Sequence, residues 1–284
     1  MSQHVRSIKN RIGNIEDIAQ ITKAMNAIAM TKVTRMKRRL AGARPYLSDL
    51  ETFIAELLGR VPPQSPPHPL VAGNGADEVG VFVLNSDRGL CGRYKGDLNR
   101  RAEDVLREQG GKGRLLVGGE KARVHFARRG IKPLLSYTHV YDPPSMETAI
   151  RIADEAIDLY LERRVGRLVL VYMMFASDLR QSLVVEEFLP VAIEPRPNDV
   201  LVEPGIEEMI DLSLRLYLRS KLYGALLETK TSEDAIRRQA MKNATDNAAE
   251  LLKGLTRAYN RARQQAITRE IADIIGGSEA LRTK

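Results

Sequence analysis

The stretch 33-VTRMKRRLAGARPYLSDLETFIAEL-57 places apolar residues at Val33, Met36, Leu40, Ala43, Leu47, Leu50, Ile54 and Leu57. The spacings run 3, 4, 3, 4, 3, 4 and 3, the period of a coiled-coil seam. Upstream, Val5, Ile8, Ile12 and Ile15 keep the rhythm, and a phase shift is expected before Ile18, Ile21, Met25 and Ile28. One helix over 1–58 would run roughly 85 Å at 1.5 Å per residue, too long for an ordinary globular helix. Pro45 predicts a local kink and not a stop, because the pattern resumes in phase beyond it. The Pro/Gly-rich VPPQSPPHPLVAGNG (61–75) then reads as linker or loop.

A second long helix is expected at the other end, over 206–284, after EPRPNDVLVEPG (194–205). Its clearest seam is Met241, Ala244, Ala248, Leu251, Leu255, Ala258 and Ala262, where the alanines permit close backbone approach. Toward its end the apolar line Ile267, Ile271 and Ile274/Ile275 runs beside a polar stripe of Arg257, Arg261, Gln264 and Thr268. Between the two helices, residues 76–195 alternate. VGVFVL (79–84), RLLVGG (114–119), RLVLVYMMF (167–175) and SLVVEEFLPV (182–191) predict strands, with helices near 95–108, 120–129 and 145–164. The fold class expected is α/β: a Rossmann-like domain with a mostly parallel sheet, carrying a long antiparallel coiled coil of the two terminal helices. A shaft with a foot is the simplest arrangement.

Composition narrows the chemistry. The net charge of +8 over 284 residues favours acidic partners. A lone Cys91 excludes an internal disulfide framework and a multi-cysteine zinc site. No stretch approaches the length of a membrane span, and the N-terminus has neither a signal-peptide core nor a transit-peptide composition, so a soluble chain is expected. NSDRGLCGRYKGD (85–97) follows a strand and precedes a helix, the place where α/β folds bind phosphates. It lacks a G-x-G-x-x-G frame, however, and Lys95 is outside a P-loop frame. GGKG (110–113) fails too, because Gly follows Lys112. His4, His68, His125 and His139 are scattered with no i,i+4 pair, and the neighbours Glu186 and Glu187 point to opposite faces of a strand. No catalytic residue, metal ligand or cofactor site is expected. The densest charge, KVTRMKRRLAGAR (32–44), reads as a solvated helix face or as a nucleic-acid surface. The absence of interleaved aromatics and the apolar seam through it weigh against the latter.

Three segments together carry a resemblance: IKNRIGNIEDIAQITKAMNAIAMTKVTR (8–35), the SDRGLCG loop (86–92) and MKNATDNAAELLKGLTRAYNRARQQAITREIADIIGGSEAL (241–281). They are similar to the gamma subunit family of F-type ATP synthases, in the same order, and ITKAM and NRARQ-x-x-IT-x-E are long, specific signatures. The resemblance implies a central-stalk rotor that does no bond chemistry. Its implied partners are a hexamer of alternating catalytic and non-catalytic subunits, an epsilon subunit and a membrane ring of ion-translocating subunits, with no nucleic acid and no small-molecule substrate. The implied location is peripheral, on the cytoplasmic face of a bacterial inner membrane. Coupling positions carried over by motif fall on Met25, Arg237, Gln264, Thr268 and Glu270.

Two departures stand out. Family members commonly carry a further Gly and then Asn after SDRGLCG, where this chain has Arg93, Tyr94 and Lys95. A family stretch like Y-x-E-S-Q-x-Y appears here as YLRSKLY (217–223). Tyr217, Arg219 and Lys221 are therefore expected to meet the membrane ring, with a compensating charge on that partner. No cysteine-bearing regulatory insertion is present, so no thiol switch is expected. Two rival readings remain: a basic coiled-coil scaffold for nucleic acid or acidic proteins, and a small α/β enzyme with helical arms.

Overall fold

The computed structural model describes residues 3–62, 64–197, 203 and 205–282. The first two residues of the 1–58 zone, the last two of 206–284 and most of 198–204 lie outside the described residues. The chain forms two compact units, Met1–Ala29 with Arg238–Lys284, and Met30–Arg237. Helix α1 (Gln3–Leu58) and helix α5 (Ile206–Arg282) each contribute to both units. The sequence zones therefore do not map one to one onto the units: 30–58 and 206–237 group with the sheet.

In the first unit the helices pair antiparallel, low numbers meeting high ones. Val5 and Ile8 pack on Ala262, flanked by Ile12, Leu255, Tyr259 and Ala266. Further along, the Thr245 hydroxyl donates to that of Thr22 at 2.9 Å. The seam corrects two expectations. Positions Ile18, Ile21 and Ile28 are exposed, and Thr22 and Ala29 are the buried ones, with Ala19 half-buried. The α1 seam thus keeps one phase, and it is carried here by small residues that let the two backbones approach closely. On α5, Leu251 and Ala258 are exposed, whereas Leu252 and Tyr259 are half-buried. Steps of three and four are both compatible with the 3.5-residue period, and the side on which the partner helix sits selects between them.

In the second unit five strands form one sheet in the order β3-β2-β1-β4-β5. They are β1 (Val79–Leu84), β2 (Gly113–Gly118), β3 (Leu135–Tyr137), β4 (Arg167–Phe175) and β5 (Gln181–Leu189). β1 pairs in parallel with β2 and β4, β2 with β3, and β4 and β5 form an antiparallel hairpin. The sheet is mostly parallel, as expected; the three-residue β3 has too little pattern to be read from sequence.

Side chains alternate across β1. Val81 and Val83 face α2 (Tyr94–Glu108) and α3 (Glu120–Ala127) in one core. Phe82 and Leu84 enter a second core with α4 (Met146–Leu161), the 47–58 part of α1 and the 206–226 part of α5. Both faces are covered, which is why these strands read as unbroken apolar runs. α1 continues through Pro45, where both Pro45 and Ala41, whose carbonyl loses its usual donor, are exposed.

Candidate coupling site

In an open parallel sheet, ligands bind outside the carboxyl ends of the strands where the strand order reverses. Here that point lies between β1 and β4. The chain's own α5 fills it. The Phe175 amide, at the end of β4, donates to Glu228 at 2.7 Å, and the Ser232 hydroxyl donates to the Met173 carbonyl at 3.1 Å. Tyr94, buried at the start of α2, donates to the Thr229 carbonyl at 3.1 Å. Arg237 donates to the Gly89 carbonyl in the loop after β1 at 3.3 Å. The N-terminus of α3, another place for an anion, is occupied by Asp87, whose Oδ1 accepts the Glu120 amide at 2.9 Å. Gly119 carries φ +105 and lies so close to Asn85 that a Cβ would sit 2.2 Å from its carbonyl oxygen. GGKG is at the opposite, amino end of the strands, with Lys112 paired to Asp77 at 2.9 Å. The glycine-rich loop is therefore packing for a helix.

This helix stretch is unusual in its chemistry. Glu228, Thr229, Lys230, Thr231, Ser232, Glu233 and Asp234 are all buried, seven consecutive polar residues on every side of the helix. Lys230 Nζ lies 3.2 Å from Asp142, 3.2 Å from Glu233 and 3.4 Å from Asp234. Arg237 bonds both Glu233 and Asp234. Asp142 also takes Lys32 at 3.2 Å and Arg88 of the SDRGLCG loop at 3.0 Å. Burial opposes the Lys230 charge, yet Glu233, Asp234 and Asp142 together hold its pKa above the ordinary lysine value. Burial pushes the Asp234 carboxyl up, partly offset by Lys230. Burial, with Glu233 beside it, also pushes up the Cys91 thiol under the loop, leaving it protonated and unreactive.

The residues singled out from sequence divide into two groups. Gln264, Thr268 and Glu270 are exposed, with Arg257 and Arg261, and Met25 is half-buried. The isoleucine line Ile267, Ile271, Ile274 and Ile275 is exposed as well. Arg237, expected at a partner contact, is instead buried on Glu233, Asp234 and Gly89. The expected ring contacts are also internal. Tyr217 is buried and donates to Glu51 of α1 at 2.9 Å. Arg219 makes a two-pronged pair with Asp154 of α4 at 2.8 and 2.9 Å. Lys221 reaches Glu186 at 2.8 Å and the Glu187 carbonyl at 2.9 Å. Within this chain, then, Tyr217 meets α1, Arg219 meets α4 and Lys221 meets β5, while Arg219 and Lys221 stay half-buried. The polar stretch 228–234 was missed because hydropathy marks it as surface.

Comparison with known proteins follows this geometry. The family described as ATP synthase matches residues 4–281. The ATP synthase gamma chain of Moorella thermoacetica is 38% identical over 283 residues, covering 98% of this chain and 99% of that one. That of Mycolicibacterium smegmatis is 36% identical over 306 residues, covering 99% of each. The chain belongs to the ATP synthase gamma chain family. The same fold is seen in a chain of the Euglena gracilis mitochondrial ATP synthase (OSCP/F1/c-ring, rotational state 3), with a TM-score of 0.70 at 17% identity over 98% of this chain and 94% of that one.

Both departures of this gamma-family chain now have partners within it. Tyr94, where a Gly-Asn sequence is usual, fills the space beneath α5. The changed charges of YLRSKLY meet Asp154 and Glu186 of the same chain. The basic stretch 32–44 is similarly engaged: Lys32, Lys37 and Arg44 pair with Asp142, Asp178 and Glu228, and Arg39 donates to the Pro144 carbonyl. Arg35 and Arg38 remain exposed, and the family match is what does not support the nucleic-acid scaffold reading. Among the described residues no helix is long and apolar enough to cross a membrane, and no cluster has the composition of a metal site.

Proposed function

We propose that this chain is the central-stalk rotor of an F-type ATP synthase, coupling ion-driven rotation of a membrane ring to ATP synthesis or hydrolysis on a surrounding hexamer. The observation that carries the reading is the end of α5. From Arg263 to Ile275 every residue except half-buried Ala266 is exposed, although four of them are isoleucines. An apolar line of that length in solvent marks an interaction surface. Membership of the gamma family supports a hexamer enclosing the helix as the partner.

The mixture of groups suits a contact that must be made and released. Apolar burial contributes about 25 cal/mol per Å², so an all-isoleucine surface would hold one orientation too firmly. Hydrogen bonds of about 0.5–1.5 kcal/mol net can exchange between equivalent partners at each step. Met25, Gln264, Thr268 and Glu270 are the coupling contacts in this reading, with Arg257 and Arg261 facing acidic loops of the hexamer. Exposed Ile18, Ile21 and Ile28 add a second contact line that the sequence seam had claimed for the interior. Arg237 acts indirectly, by holding α5 in the sheet crevice. ATP chemistry belongs to the hexamer, an epsilon subunit accompanies the stalk, and the assembly sits at the cytoplasmic face of a bacterial inner membrane.

The test is ATP hydrolysis and ion pumping by the ring subunits of the same organism, assembled with the full chain or with one truncated after Ala258. Truncation removes Tyr259, Ala262 and Ala266, which cover Val5, Ile8 and Ile12, together with the whole exposed stripe. The full chain should assemble and pump, and the truncated chain should assemble poorly or hydrolyse without pumping. Unchanged pumping by the truncated chain would remove the coupling role from the stripe. Failure of the full chain to join the ring would sink the rotor reading.

A further inference from the structure

Within Met30–Arg237 two sets of polar side-chain contacts of α5 lie on opposite sides of the helix, and Asp211 and Thr229 make further contacts between them. At about 100° per residue, Tyr217, Lys221 and Glu228 share one side, spread over roughly 40°. Tyr217 holds Glu51 of α1, Lys221 holds Glu186 of β5, and Glu228 holds Arg44 of α1 at 2.7 Å and the Phe175 amide of β4. Arg219 is nine residues from Glu228, a rotation of about 900° and hence a half-turn away. Arg219 and Lys230, eleven residues apart, share that second side to within about 20°. Arg219 holds Asp154 of α4 by both prongs of its guanidinium, and Lys230 holds Asp142 in the loop leading to α4.

The hydrophobic driving force is non-directional, and close packing supplies only the steric part of the seat. Charge-assisted hydrogen bonds on two opposed sides are directional, and turning the helix either way stretches both sets. Ion pairs at the exposure of Arg219 and Asp154 add little net stability, so their directionality is the property that bears on the helix.

We propose that these two rails key α5 to the α/β body against rotation about its own axis, and that Arg219 and Asp154 are force-transmitting, positioning residues of the stalk. The inference rests on the rotor reading. α5 continues from the keyed segment as far as Arg282, so torque in that helix passes to the sheet body through the rails.

The experiment uses the assembled, membrane-bound complex with Arg219→Glu, Asp154→Arg and the double exchange, measuring the ratio of ions pumped to ATP hydrolysed and the melting of each full-length chain. Arg219 and Asp154 are partly exposed, so single reversals should still fold. Each single reversal opposes like charges and should lower the ratio at least about threefold, while the exchange restores it to within about twofold of wild type. A ratio unchanged in both single reversals overturns the inference. So does a ratio that the exchange leaves as low as the singles do. Reduced melting and assembly with a normal ratio in the complexes that form would show a merely structural pair, and would overturn it too. A wild-type complex that assembles and hydrolyses but never pumps would instead overturn the rotor reading, and the inference with it.

Discussion

Lys230→Met tests whether the buried charge cluster is held by its ammonium. Lys230 is enclosed by Asp142, Glu233 and Asp234, the last two almost fully buried. Methionine preserves the length and apolar stem of the side chain and removes the charge. Glu233 and Asp234 are then left with Arg237 alone, and Asp142 with the more exposed Lys32 and Arg88. Breaking a buried pair costs about 3–5 kcal/mol; the surviving cations reduce this to about 2–4 kcal/mol. That is a large share of the roughly 5–15 kcal/mol that holds a domain together.

The deficit has a pH signature. Asp234 already has a folded pKa above its ordinary value of 3.8, so the native state binds that proton more tightly than the unfolded chain does. Its ionisation therefore costs native stability as pH rises through the carboxylate range, and removing Lys230 increases the cost. The deficit of the variant should be greatest at neutral pH and shrink as pH falls into the carboxylate range. Adding Asp234→Asn to the variant should recover at least about 1 kcal/mol at neutral pH. Urea unfolding followed by tyrosine emission suits the measurement: there is no tryptophan, and eight of the nine tyrosines lie in 30–237. A deficit below about 1 kcal/mol, or one that stays flat from neutral pH into the carboxylate range, would refute the assignment of Lys230 as the charge that balances the cluster.

Other expectations follow from the seam and the loop. Leu252→Ala should destabilise the paired helices by about 1–2 kcal/mol while Leu251→Ala stays within about 0.5 kcal/mol, as read by thermal melting; the reverse order would restore the seam expected from sequence. Gly119→Ala should cost at least about 2 kcal/mol, since its Cβ would meet the Asn85 carbonyl at 2.2 Å in a left-handed backbone. Gly75→Ala, also at positive φ but with nothing within 4 Å, should cost only the backbone term of about 1–2 kcal/mol. Equal losses at the two glycines would remove the close approach of Gly119 to Asn85 as a reason for its glycine.

The sequence determined the elements and most of their order. A 3.5-residue rhythm over 33–57 can be satisfied only by burying one edge of a long helix, and β1 and β4 have the boundaries that their apolar runs predict. It also carried the gamma-family signatures at both ends. The tertiary structure decided what those elements face. A rhythm of threes and fours leaves two adjacent edges equivalent until a partner helix takes one, so Leu252 and Thr22 went inward while Leu251 and Ile21 stayed out. Hydropathy ranks each residue by its own transfer free energy, so ETKTSED (228–234) reads as surface. It is interior because partners distant in the chain satisfy several of its polar side chains, chiefly Asp142, Arg44 and the end of β4. Arg219 shows the same limit: its charge was legible, but only the packing of α5 against α4 supplied the carboxylate of Asp154, 65 residues earlier in the chain, that it meets.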